Sequence, residues 1–187
     1  MTKFSFSIAL LCLVGAASAQ SLESECHTIG VFGGESALFF GSSDQRYGGG
    51  FSYSYARPEP KFHFLGMKSQ FMLTGYVDHT YAIKDRPGDD PNYSAGFLAS
   101  ARWIVANHTA NLAPYFDLGW GFQMADTATR DLPSELNSTP WAGTGIMFPV
   151  GKYEGMVGLR FVHISNAGTV KPNRGQDELF LTAELRI

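Results

Sequence analysis

Cysteine is almost absent from this chain. Only two occur in 187 residues, and one of them, Cys12, lies in an apolar leader. The other, Cys26, cannot close an internal disulfide alone, so an exported protein with this sequence must be held together by other means. It reads as an unpaired thiol near a loose terminus. Long apolar runs are missing too: past residue 19 no stretch reaches the roughly 18 apolar residues that a membrane-spanning helix needs. Basic charge is scarce and scattered. Fourteen Lys and Arg against 17 Asp and Glu give a formal net charge of −3, which excludes the positive field expected of a nucleic-acid binder. Helical periodicity is hard to find. A soluble secreted β-sandwich and a membrane β-barrel are the two architectures left.

What is present begins with an export address. Lys3 stands in a short polar head, an apolar run extends from Ile8 to Ala17, and Ala17-Ser18-Ala19 precedes Gln20. That is the pattern of a cleavable signal peptide, so residues 1–19 are set aside and 20–187 are read as one domain. Ala9-Leu10-Leu11 before Cys12 lacks the small residue expected ahead of a lipid-modified cysteine.

Glycine and aromatics are abundant, and turn-rich segments recur at spacings suited to strands. Eight strands are expected, roughly over 29–41, 47–57, 62–80, 93–106, 113–124, 138–150, 155–165 and 177–187. Each has one broad apolar face. In the fifth, Phe116, Leu118, Trp120, Phe122 and Met124 oppose Tyr115, Asp117, Gly119, Gly121 and Gln123; in the third, Leu65, Met67, Phe71, Leu73 and Val77 oppose Lys68, Gln70 and Thr74. A half-buried soluble sheet also alternates. Strand lengths near ten residues, with bulky rings on one face and small or polar groups on the other, favour an eight-stranded antiparallel outer-membrane barrel. Glu35, Lys68, Arg102, Asp117, Arg160, Glu184 and Arg186 then face inward, and their mixed signs suggest a filled, salt-bridged lumen with no channel. Short connections near 57–61, 107–112 and 151–154 belong in the periplasm, and longer ones near 81–92, 125–137 and 166–176 outside.

The chemistry concentrates in the last 25 residues. In the seventh strand Val157, Leu159 and Phe161 lead directly to His163 and Ser165 on the same face. In the eighth, Asp177 shares parity with Leu179, Leu181 and Leu185, whereas Glu178 aligns with Thr182, Glu184 and Arg186. Alternation therefore selects Asp177 as the acid beside His163 on the lipid-facing wall, with Glu178 as a fallback. Ester hydrolysis assigns the roles: Ser165 attacks, His163 accepts and returns the proton, and Asp177 orients the imidazole. The Asn166 side chain and the Gly168 backbone N–H lie just beyond the nucleophile, where an oxyanion needs donors.

His163-x-Ser165-Asn166-Ala167-Gly168, then Pro172-Asn173-x-Gly175 and an acid two positions later, resembles the C-terminal signature of outer-membrane lipid A 3-O-deacylases of the PagL type. The resemblance implies an eight-stranded barrel of the Gram-negative outer membrane, with lipopolysaccharide as substrate. It also implies a Ser-His-Glu triad on the outer wall that removes the ester-linked acyl chain at position 3 of lipid A. Ser165 is then nucleophile and His163 base, with Asn166 and Gly168 near the oxyanion. The family's glutamate falls on Asp177, one methylene shorter. The likeness covers residues 163–187.

Other features carry less. His27, His63, His79 and His108 lack metal-ligand spacing, and the acidic run Asp85–Asp90 lacks the pattern of a calcium loop, so neither metal nor cofactor is expected. Gly33-Gly34 and Gly48-Gly49-Gly50 suit close strand packing better than phosphate binding. Taken singly, Asn166-Ala167-Gly168 and Pro172-Asn173-x-Gly175 are also ordinary turn chemistry. A non-catalytic structural or adhesive barrel is therefore the competing reading, and a homodimer is left open.

Overall fold

The computed structural model describes residues 24–40, 42–83, 91–105 and 112–187. The proposed leader, His108 and the run Asp85–Asp90 lie outside them. Among the described residues every strand belongs to one antiparallel sheet that closes on itself: β1 (Cys26–Ser36), β2 (Arg46–Pro58), β3 (Lys68–Ala82), β4 (Asn92–Ile104), β5 (Ala113–Ala125), β6 (Leu136–Ser138), β7 (Trp141–Val150), β8 (Tyr153–Ile164) and β9 (Gln176–Arg186). β6 and β7 are one stave interrupted at Thr139-Pro140. β5 pairs with both, Phe122 against Ser138 and Gly119 against Trp141, and Thr139 N donates to Gly121 O across the break. Proline has no N–H to give the ladder, so regular pairing lapses there. β1 pairs with β9 and completes an eight-stave barrel.

The alternation seen in the sequence sorts the two walls. Ile29, Val31, Phe51, Tyr53, Val77, Phe97, Leu118, Trp120, Phe122, Leu159 and Leu181 are exposed on the outside. So wide an apolar surface is incompatible with water and suits lipid. Inside, the Arg102 guanidinium donates to both Asp117 oxygens, each at 2.7 Å, and reaches Glu184 at 3.4 Å; Arg160 holds the other Glu184 oxygen at 3.0 Å. Arg186 meets Glu154 at 2.7 Å. Small apolar clusters flank this network, Ile104, Tyr115, Met147 and Met156 in one and Leu98, Leu132, Trp141, Val162, Ile164 and Phe180 in the other. The lumen is a packed polar core.

Several details depart from the sequence expectations. Glu35 is exposed, in phase with Ile29 and Val31 and opposite Leu179, because β1 keeps its register to its last residue. β1 starts at Cys26 and ends at Ser36, so 37–40 are no longer strand. Cys26 itself is buried inside the barrel against Ala56 and Met72. β3 starts at Lys68; before it lie a 3₁₀ turn, Pro60–Phe62, and a tight turn closed by Phe64 and Met67, with Leu65 at φ 47° and Gly66 at φ 76°. Leu65 and Met67 match the strand's apolar parity, and a two-residue period cannot separate a strand from a turn that happens to be apolar.

Candidate active site

The site is assembled where the ends of β8, β9 and β1 meet at one rim. β8 and β9 bring His163 opposite Asp177. His163 N–H donates to Pro140 O at 2.9 Å, and Ser165 and Ser138 exchange backbone bonds at 2.7 and 3.0 Å. The nucleophile candidate is thus held on the short strand β6 just past the Pro140 break. His163 and Ser165, two residues apart, point to the same outer face.

His163 Nδ1 lies 2.7 Å from Asp177 Oδ1. The second oxygen, Oδ2, accepts the backbone N–H of Phe40 at 2.8 Å. Asp177 is fully buried despite its outward parity, because His163 and the segment after β1 cover it. A carboxylate withdrawn from water needs its oxygens satisfied, and here each has a donor. Glu178 turns the other way, into the lumen, where Gln176 Nε2 and Ser36 Oγ donate to its Oε1.

Phe40, His163, Ser165, Asn173, Arg174 and Gly175 line an open cleft of about 380 Å³. Gly175 is required by proximity: with φ 70°, a Cβ there would lie 2.7 Å from His163 Cε1. The loop between β8 and β9 is stitched largely by Asn166, which is buried. Its Oδ1 accepts Gly168 N at 3.0 Å and its Nδ2 donates to Val170 O at 2.9 Å. Its own N–H donates to Asn173 Oδ1 at 3.1 Å. Ala167 and Gly168 follow with φ of 54° and 81°. The Gly168 N–H expected at the oxyanion is engaged by Asn166 Oδ1, in a turn that shapes the loop.

Three residues of the site carry no role assignable from sequence. Asn173 stands out there only as part of a motif; with its Oδ1 committed to Asn166 N, its amide Nδ2 is the group left to donate into the cleft. Phe40 reaches Asp177 from 137 positions away, a separation no local pattern reveals. Arg174 carries a cation to the cleft edge, donating to Ser43 Oγ at 3.2 Å. Ser43 is held in turn by the buried Asp131, so the loops after β1, β5 and β8 are tied together around the site. Of the histidines elsewhere, His27 meets the Tyr53 hydroxyl and His79 stacks on Tyr93; among the described residues no cluster of metal-ligating side chains occurs.

Comparison with known proteins gives concordant results. The sequence model of the family described as Lipid A 3-O-deacylase (PagL) matches residues 45–186. Lipid A deacylase PagL of Pseudomonas aeruginosa is 30% identical over 119 residues, which cover 62% of this chain and 66% of that protein, just under two thirds of its length. The crystal structure of the outer membrane enzyme PagL superposes with a TM-score of 0.63 at 18% identity, covering 84% of this chain and 97% of that one. Neisserial surface protein A superposes with a TM-score of 0.56 at 15% identity, over 87% and 96% of the two chains. At these identities the two structures speak for the barrel fold alone.

Proposed function

Because the chain belongs to the PagL family of lipid A 3-O-deacylases, we propose that it is a serine esterase of the outer membrane that releases the acyl chain esterified at position 3 of lipid A. The observation that carries this reading is the His163–Asp177 pair at 2.7 Å on the lipid-facing wall, with His163 lining one cleft with Ser165. A histidine and a buried carboxylate have no structural reason to occupy that wall, where each would otherwise be a cost.

In this reading the steps are those of a serine esterase. Ser165 Oγ attacks the ester carbonyl while His163 Nε2 takes its proton, and Asp177 holds Nδ1–H and steadies the imidazolium. The carbonyl π electrons move to oxygen, toward which the Nδ2 amide of Asn173, a residue of the cleft wall, is the side-chain donor. Gly168 acts through the turn it makes with Asn166. The tetrahedral species collapses as His163 protonates the departing sugar oxygen, leaving the acyl group on Ser165. Water at the rim, activated by the same imidazole, then releases the fatty acid. The cleft faces sideways, so an amphiphile in the outer leaflet reaches Ser165 without leaving it, its chain lying along Leu159, Phe161, Leu179 and Leu181.

A fluorophosphonate with a long alkyl chain tests the nucleophile. Refolded protein should gain one adduct, mapped by peptide mass spectrometry to Ser165. Labelling of another residue, or equal labelling of Ser165→Ala, would remove Ser165 from its role.

A further inference from the structure

We propose that the segment Ala37–Phe40 is a strap with two duties at this site: its main chain fixes the Asp177 carboxylate, and its side chains form the ledge on which the acyl chain of the substrate lies. The inference rests on the reading of Ser165, His163 and Asp177 as a hydrolytic relay.

The main chain comes first. Ala37 N–H donates to the backbone O of Asp177 at 2.8 Å, carrying the β1–β9 ladder one step past Ser36 and Glu178. The chain then leaves the sheet and returns over the outer wall, so that Phe40 N–H meets Asp177 Oδ2 at 2.8 Å while Oδ1 faces His163 Nδ1 at 2.7 Å. An aspartate has one methylene with which to reach from β9. With an oxygen fixed at each end, the carboxylate cannot swing away from the imidazole without breaking a charge-assisted bond. Phe40 is by this argument a positioning residue acting through Asp177.

The side chains face the opposite way. Leu38, Phe39 and Phe40 are 52%, 68% and 70% exposed, three consecutive large apolar groups outside the sheet. Phe39 and Phe40 set their edges against Phe161, with ring centroids at 5.8 and 6.3 Å, and Phe40 stands edge-on to His163 at 5.6 Å. Phe40 also lines the cleft with Ser165. An apolar ledge therefore starts beside the nucleophile and continues along the lipid-facing strands. An occupant whose carbonyl sits at Ser165 and whose body is hydrocarbon fits it, which makes the preferred substrate a long-chain acyl ester.

Two substitutions at one position separate the duties. Phe40→Ala keeps the N–H and deletes the ring; Phe40→Pro deletes the N–H. With acyl esters of increasing chain length in mixed micelles, Phe40→Pro should lower kcat roughly 10- to 100-fold at every length, the scale of a misplaced catalytic group. Phe40→Ala should act mainly by raising KM, and more so as the chain lengthens. Because proline can also disturb folding, amide exchange in the folded barrel provides a second reading. The Phe40 amide should be protected in the wild type and exchange freely in Asp177→Ala. The Ala37 amide, bonded to the main chain of residue 177, should stay protected in both. Equal exchange of the Phe40 amide in the two proteins, or equal kcat for the two Phe40 variants, would overturn the strap. Failure of the underlying relay looks different: Ser165→Ala would retain hydrolysis while the exchange pattern stood.

Discussion

At the residue scale the decisive contrast is between Asp177 and Glu178, neighbours in sequence that occupy opposite sides of the wall. Strand alternation alone separates them, which is why the side each one faces is legible in the sequence. Asp177→Asn should lower kcat by about 10⁴, as loss of the orienting carboxylate does in other triads, with binding largely kept; activity within about tenfold of wild type would remove Asp177 from the relay. Glu178→Gln, inside the lumen, should leave the position of bond cleavage unchanged. Asn166 shows the limit of such reading. Its place after the nucleophile suggests an oxyanion donor, but which partner an amide takes depends on loop geometry that spacing does not encode, and here it takes Gly168 N and Val170 O. Asn166→Ala would unstitch the loop, lowering activity and exposing the 166–175 segment to proteolysis; lost activity with an unchanged digestion pattern would point to direct oxyanion contact instead.

At the scale of elements, the staves follow from a two-residue period sustained over strand after strand, and that period sorts their outer and inner faces nearly throughout. The ends are harder to place. Leu38, Phe39 and Phe40 extend the apolar content of β1, so nothing in composition announces that the strand stops at Ser36 and a strap begins. The Pro140 break is visible as a residue, but its alignment with His163 depends on the register of β7 with β8. Glycine marks close approach at the β1–β9 seam: a Cβ on Gly34 would collide with the backbone O of Leu179. Gly34→Val should therefore open the seam beside the site and reduce the yield of refolded barrel, read as the fraction of protein whose migration shifts on heating. A normal yield would mean that the seam relaxes around the side chain.

At the scale of the whole molecule, a barrel with lipid outside has an inverted core: the apolar groups face the solvent hydrocarbon and the charges pack within. Arg102, nearly fully buried, is the hub, joined to Asp117 and Glu184. Arg102→Leu should destabilise the barrel by about 3–5 kcal/mol, since it strands Asp117 in a dry interior. Urea unfolding in detergent measures this, and a change below about 1 kcal/mol would show that water already solvates the lumen. The proposed relay and the charge network are spatially divided in this architecture, Ser165, His163 and Asp177 standing at the rim on the outer wall and the ion pairs lying within the staves. The most direct test of the account is mass spectrometry of purified lipid A incubated with the folded protein, wild type beside Ser165→Ala. The expected result is loss of one hydroxyacyl chain, from position 3, with the wild type only. An unchanged lipid A mass with demonstrably folded wild-type barrel would contradict the assignment.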